Sequence, residues 1–399
     1  MSDYRKIWTG NASSNLADGV TFVALPLLAV TLTQDPLEIS ALSVAYTVPR
    51  LLSVLGIGVL VDRVDRRRLL QAASFSRGVL FAALTTLVVS GHVSMVALYV
   101  VYALMGVVET LADSAAVAIL PQAVPAAGLD RANSQITGTQ VVIDEFVGPP
   151  LGGFLFGLAA FAPSLLNAVA FTMAGLAYLS LRGHYTLPPP QEHRRFTQQI
   201  SDGTRWAWRH ELVRTLVVVG GLACVGYMIP FSYLVLYAKE VLGLGPEGYG
   251  LLLSVSAVGG LLGSLVAAPL RRRLGYCTTT VGALLVGAAS FAVIALVDQV
   301  WVVGIALATY IAHSVVWNVM AVTVRQKVTP TDMMGRVGAV GRFVGIAGLA
   351  AGAALGGLLA RHLGYTAPFA VAAGFFVLGA VLVAGARRSF AVVEDPQES

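Results

Sequence analysis

A compact charged turn, Gly58-Val-Leu-Val-Asp62-Arg63-Val-Asp65-Arg66-Arg67-Arg68, is wedged between two long apolar runs. An ionised side chain at mid-depth in a bilayer costs about 2.5–3.5 kcal/mol on insertion scales. Two carboxylates and four arginines so close together therefore form a loop on one membrane face, and the apolar runs flanking them are crossings. Short loops rich in Lys and Arg stay cytoplasmic. That orients both crossings and, by alternation, every other one.

The rest of the chain repeats the pattern. With 12% charged residues against 56% hydrophobic ones it is far poorer in charge than a soluble globular protein, which carries roughly 25%. Apolar runs long enough to span, about 20 residues each, fall near 8–33, 37–61, 69–90, 94–119, 132–160, 163–181, 213–238, 248–270, 276–297, 300–324, 335–360 and 365–386. The expectation is an all-α membrane protein with twelve transmembrane helices. Of 26 Lys and Arg, only Lys239 and Arg361 fall on the external side of this map, and Arg50 and Arg342 lie within spans. The remainder count as cytoplasmic, so both termini are expected inside. This bias accounts for the net charge of +5, and nucleic acid is not an expected partner. The first run lacks the short core and small-residue cleavage site of a signal peptide. Cys224 and Cys277 have no metal-ligand spacing and read as filler.

The longest polar segment, roughly 182–212, divides the spans six and six. It opens with Pro188-Pro189-Pro190, continues through Arg194 to Ile200, and ends with Trp206 and Trp208 among Arg205, Arg209 and His210. Interleaved basic and aromatic residues fit a helix in the cytoplasmic interface. The expected domains are a six-helix bundle over 1–182, a linker over 183–212, a second bundle over 213–388 and a tail over 389–399. The halves resemble one another: Gly148-Pro-Pro-Leu-Gly-Gly in the fifth span parallels Gly352-Ala-Ala-Leu-Gly-Gly in the eleventh, and Asp62-Arg63-Val-Asp65 is echoed by Arg272-Arg273-Leu-Gly275. Parallel six-helix repeats place a binding site between the halves near mid-depth.

On these residues the chain resembles the major facilitator superfamily. The turn from Gly58 through Asp62 and Arg63 to Arg66 and Arg67 is similar to that family's signature between the second and third helices, with Asp65 where glycine is usual. Gly138 through Gly148-Pro149-Pro150-Leu-Gly152-Gly153 resembles the fifth-helix signature of its antiporter branch. Trp8-x-Gly10 with Ser14 to Gly19, Leu120-Pro121 with Leu129-x-Arg131-Ala-Asn133, and Gly203 to His210 resemble the branch of macrolide efflux pumps and enterobactin exporters. The fourth span departs from many drug–proton antiporters: it carries Glu109 and Asp113 in place of an intramembrane arginine.

Ionisable residues inside spans are the default functional candidates. Asp18, Arg50, Glu109, Asp113, Asp144 and Glu145 form the proton-coupling set, because a carboxylate in low dielectric can hold a proton near neutral pH and release it when water or a cation arrives. Glu109 and Asp113, four residues apart, share a helix face. Arg50 is expected to pair with Asp144 or Glu145, which point about 100° apart. By the resemblance, the seventh and tenth spans line the cavity. Tyr227, Met228, Phe231, Tyr233 and Tyr237 on the first, with Tyr310, His313, Trp317 and Asn318 on the second, suit a bulky amphipathic substrate, cationic or neutral. The same aromatics at helical spacing also serve as packing residues, and a lone histidine such as His313 is commonly a hydrogen-bonded core residue.

Two mechanical roles complete the set. Pro149 and Pro150 bend the fifth span, while Gly148, Gly152 and Gly153 permit close approach to a small surface in the eighth, Gly259, Gly260, Gly263 and Ser264, as a gate. Asp62 is expected to latch onto the N-terminal end of the eleventh span near Met334–Arg336, with the arginines on carboxylates or lipid phosphates. The expected function is proton-coupled export of a hydrophobic or amphipathic small molecule, a drug, macrolide or siderophore, by alternating access. The alternative is a lipid or lysolipid flippase. The partners are then a small-molecule substrate, protons and membrane lipid, for a monomer without cofactor or metal. No nucleophile–His–acid grouping and no phosphate loop with Lys suggests an enzyme.

Overall fold

The computed structural model describes residues 3–125, 128–183, 185, 196–331 and 333–394, excepting the side chains of Leu55, Val59, Asp62, residues 196–202, Val392 and Glu394. Among these residues the regular elements are all helical. They are α1 (Asp3–Leu32), α2 (Pro36–Arg63), α3 (Arg66–Val89), α4 (Met95–Ala123), α5 (Leu129–Gln140), a π-helical turn (Val141–Val147), α6 (Gly148–Leu158), α7 (Ala162–Leu179), α8 (Phe196–Arg209), α9 (Glu211–Phe231), α10 (Leu234–Glu240), α11 (Pro246–Leu296), α12 (Val300–Val328), α13 (Met334–Leu363), α14 (Ala367–Gly385) and α15 (Arg387–Glu394). Eleven helical stretches are long and apolar enough to cross a membrane. One of them, α11, runs for 51 residues, about 75 Å of helix and more than two bilayer cores. Gly275 interrupts it with φ 77 and ψ 176, a backbone region open essentially to glycine alone. The stretch is therefore two crossings, and the described crossings number twelve.

Helix boundaries follow local chemistry. Asp35 accepts from Leu37 N at 2.9 Å ahead of Pro36, and Ser94 accepts from Ala97 N at 3.3 Å, so side chains satisfy amide donors that a helix start leaves orphaned. The charged turn uses the same device. Asp65 accepts from Arg67 N at 2.9 Å and caps α3. Its φ of −56 needs no glycine, which explains the departure from the superfamily signature. At the echoing position Gly275 takes a positive φ with extended ψ instead, so the two halves solve the same turn differently.

Contacts gather into two units, one of Met1–Gln191 with Ala238–Ser254, the other of Glu192–Tyr237 with Val255–Ser399. In the first, α1 packs on α6 and α7, α2 on α4, and α3 on α4 and α7. In the second, α9 packs on α13 and α14, and α8 on α13. The repeated glycines do equivalent work in each. Cβ atoms on Gly148 and Gly152 would collide with the α1 backbone at Gly19 and Val20, and Cβ atoms on Gly352 and Gly356 with the α9 backbone at Val225 and Ile229.

Two expectations change. The seventh span is not one helix over 213–238: Pro230 precedes a break, α10 starts at Leu234, and buried Tyr233 donates its hydroxyl to Tyr365 O at 2.9 Å across the gap. The linker helix is docked as well as amphipathic. Ala207 is buried among Val213, Val217, Val337 and Val340, and Gly203 sits against Arg336, while Trp208 stays exposed. Pro188, Pro189, Pro190 and Arg194 lie outside the described residues.

Candidate functional site

The charged residues of the first unit converge because small residues let their helices close. A Cβ on Gly106 would strike the Tyr46 carbonyl, so α2 and α4 meet backbone to backbone. One turn on, the Tyr46 hydroxyl donates to Glu109 Oε1 at 2.6 Å. Arg50 Nη1 donates to that hydroxyl at 2.8 Å and lies 3.6 Å from Glu109 Oε1, while its Nη2 is 3.5 Å from Asp113 Oδ2. Arg50 thus pairs with both carboxylates of α4. The expected partners, Asp144 and Glu145, are not the ones it meets, because the α2–α4 contact places α4 acids directly opposite.

Sequence reasoning missed the central cation. Arg77, counted among the cytoplasmic basic residues, sits inside α3 with its side chain only 2% exposed. Its Nη2 lies 3.3 Å from Asp18 Oδ1 on α1 and 3.6 Å from Glu109 Oε2 on α4, and its Cζ is 4.6 Å above the Phe171 ring of α7. One guanidinium therefore joins four helices. The Asp18 contact is close in distance without being aligned as a hydrogen bond: Asp18 Oδ1 and Arg77 Nε and Nη2 are buried and have no hydrogen-bond partner. A signal was present in the chain. Arg77-Gly78 repeats Asp18-Gly19, an intramembrane charge beside a glycine at a close helix contact; Gly78 approaches Thr172 as Gly19 approaches Asp144 and Gly148.

Asp144 is half-buried on the π-helical turn and Glu145 is exposed. The irregular turn follows from two prolines. Without N–H groups, Pro149 and Pro150 leave the carbonyls one α-helical turn earlier, at Glu145 and Phe146, without their usual donors. Ser254 of α11 donates its hydroxyl to Phe146 O at 3.0 Å, and Gly148 N bonds Ile143 O in the wider register. Such turns recur at functional sites. Gly153 meets Pro246 and Glu247, and Gly250 meets Pro149 and Pro150. The fifth and eighth spans do touch, through Pro246–Ser254. The seam expected at Gly259, Gly260, Gly263 and Ser264 forms elsewhere: Gly259 and Gly263 pack on the backbone of Ala308 and Ala312 in α12.

Two of the four arginines of the charged turn, Arg66 and Arg67, are anchored on backbone carbonyls of their own unit, where carboxylate or lipid partners were expected. Arg66, 1% exposed, donates Nη1 to Tyr185 O at 3.2 Å, and its backbone N–H donates to the same oxygen at 3.3 Å. Arg67 Nη2 donates to Leu179 O at 2.7 Å. Both thus answer carbonyls at and beyond the C-terminal end of α7, where a cation suits the helix dipole. The Tyr185 hydroxyl donates to Asp3 Oδ2 at 2.9 Å; burial, then that hydrogen bond, pushes the phenol up to about 12. Gly58 and Arg63 make none of these contacts, and the Asp62 side chain lies outside the described residues.

In the second unit the Tyr227 and Phe231 rings meet at a tilt, centroids 4.4 Å apart, and reach Tyr310 at 6.2 and 5.9 Å. Tyr227, Met228, Phe231 and Trp317 are half-buried and Asn318 is exposed, so these five can still meet a ligand. Tyr233, Tyr237, Tyr310 and His313 are buried core residues. Tyr310 stacks on Phe291 at 4.2 Å, Tyr237 packs on Phe369, and His313 sits edge-on to Phe376 with Nδ1 against Tyr310 O. Gly287 leaves room for the imidazole, since a Cβ there would be 2.5 Å from Nε2. These four hold the aromatic wall in shape. Cys224 and Cys277 are free.

Residues 1–396 match a family described as transmembrane secretion effector. The multidrug efflux pump Tap of Mycolicibacterium fortuitum is 28% identical over 386 residues, covering 93% of this chain and 92% of that protein. The enterobactin exporter EntS of Escherichia coli is 26% identical over 386 residues, covering 95% and 91%. Among solved structures, a bacterial homologue of the iron transporter ferroportin in its inward-facing state aligns with a TM-score of 0.75 at 17% identity, covering 96% of this chain and 98% of that one. The nucleoside transporter NupG aligns with a TM-score of 0.76 at 13% identity, covering 96% and 99%. At these identities the solved structures speak for the fold.

Proposed function

The chain belongs to the transmembrane secretion effector family of the major facilitator superfamily, a multi-pass bacterial inner-membrane transporter and not an enzyme, and from this premise we propose that it exports a hydrophobic or amphipathic small molecule in exchange for protons. The multidrug and enterobactin efflux named for its relatives supports the direction and the substrate class. One observation carries the coupling: buried Arg77 is shared between Asp18 and Glu109, while Arg50 is shared between Glu109 and Asp113.

Asp18 and Glu109 share the buried Arg77 while exposed Asp113 takes part of Arg50, so full ionisation leaves one negative charge in excess, which is costly where it falls on half-buried Asp18. A proton removes it. Protonating Asp18 weakens the α1–α3 tie and leaves Arg77 to Glu109; deprotonating it restores the tie. Each proton thus changes which helices Arg77 holds, and Tyr46 links the change to Arg50. Gly19, next to Asp18, packs on the Asp144 backbone, which connects the cluster to the π-helical turn. Both termini are taken as cytoplasmic, following the basic loops. The test is dye efflux from proteoliposomes under an imposed pH gradient. Gradient-driven efflux by wild type and its loss in Asp18→Asn are expected, and efflux by wild type that ignores the gradient would overturn the antiport reading.

A further inference from the structure

Arg325 of α12 and Arg342 of α13 lie near one another in the second unit. Arg342 lies eight residues into α13, about 12 Å from its start, and is exposed. Arg325, half-buried near the end of α12, turns toward α13: a Cβ on Gly341 would lie 3.0 Å from its Nη1. The glycine gives the guanidinium a seat next to the position of Arg342. Among the described residues neither arginine has an acidic group within ion-pair distance. In the first unit Arg50 and Arg77 each have two. Arg342 lies inside the eleventh span, where an arginine without an acidic partner is expensive and marks a ligand path by default; Arg325 stands at the end of the tenth span, beside it. The surroundings leave room for one: a Cβ on Gly338, one turn before Arg342, would meet nothing within 4 Å. Exposed Asn318 is seven residues before Arg325, hence on the same face of α12 about 10 Å away, with half-buried Trp317 beside it.

We infer that Arg325 and Arg342 bind the oxyanion of an amphiphile, a carboxylate, sulfonate or phosphate, whose apolar body lies toward Trp317 and Asn318. Guanidiniums on neighbouring helices offer planar, charge-assisted donors to such a group. This deepens the export reading by giving the substrate an anionic end, but it is tested by binding alone. Failure of gradient-driven transport therefore leaves it standing, and its failure leaves coupling standing.

The experiment uses the full chain in phosphatidylcholine nanodiscs and two dyes sharing a xanthene ring, anionic fluorescein and cationic rhodamine 6G, read by fluorescence anisotropy. Losing one charge-assisted contact should weaken fluorescein about tenfold or more in Arg325→Gln and in Arg342→Gln. Arg342→Lys should recover part of that loss, and rhodamine 6G should bind no more weakly than to wild type. A parallel series in phosphatidylglycerol separates the sources of the oxyanion. Fluorescein affinity that falls in wild type but not in Arg342→Gln identifies a lipid headgroup, and affinity equal in both lipids identifies a free amphiphile; either supports the site. No fluorescein binding by wild type, equal affinity in wild type and both glutamine variants, or equal losses for the two dyes would overturn it.

Discussion

Removing Arg77 should do more damage than removing any other side chain of the first unit's charged cluster. Its guanidinium meets Asp18 at 3.3 Å and Glu109 at 3.6 Å with 2% of the side chain exposed. At an effective dielectric of about 20, each contact amounts to about 5 kcal/mol before desolvation is charged against it. Breaking a buried pair from one side typically leaves a net loss of about 3–5 kcal/mol. In Arg77→Gln that loss falls on Asp18, which has no second cation within ion-pair distance among the described residues, whereas Glu109 keeps Arg50 and Tyr46. For a unit of about 200 residues the loss corresponds to a fall of roughly 6–20 °C in apparent melting temperature, measurable by fluorescence-detected size exclusion after heating. The double variant Arg77→Gln/Asp18→Asn removes the stranded charge and should recover at least half of it. An unchanged melting temperature, or a double variant no better than Arg77→Gln alone, would refute the shared-cation geometry.

Other perturbations separate the neighbouring elements. Ser254→Ala leaves the Phe146 carbonyl unanswered beside Pro150 and should lower stability by about 1–3 kcal/mol, read in the same melting assay; no change would place another donor there. Gly106→Val drives a side chain into the Tyr46 backbone, so it should abolish gradient-driven efflux even where protein reaches the membrane, and efflux at wild-type rate would contradict the close α2–α4 contact. Tyr185→Phe loses the bond to Asp3. Because the phenol is pushed up to about 12, the stability it lends is present below the ordinary phenol value of about 10 and fades only as pH climbs toward 12. The melting difference from wild type should therefore stay constant between about pH 6 and 9, and a difference that moved across that window would count against the bond.

Most of the architecture is legible in the chain because hydrocarbon imposes a length and a polarity on every crossing. The twelve spans, the paired glycine runs and the acidic residues Asp18, Glu109 and Asp113 all follow from that one constraint. Pairings do not. Arg77 is a single charge a few residues beyond a basic loop, and a count of loop charges absorbs it; only the approach of α3 to α1 and α4 makes it central. Arg50 could reach acids on several helices, and the Gly106 contact with α2 decides for Glu109 and Asp113. Tyr310 and His313 have the spacing of a cavity wall, but burial against Phe291 and Phe376 makes them its support. The break after Phe231 is marked by Pro230, yet the apolar run continues through it, so hydropathy passes over the gap.

The central claim, that the Asp18–Arg77–Glu109 cluster exchanges protons for substrate, is tested most directly by proton release on binding. Purified wild type in weakly buffered detergent, with a soluble pH-indicator dye, should release protons when a transported amphiphile is added, and Asp18→Asn should release fewer at equal occupancy. Saturating binding with no release from wild type would contradict it.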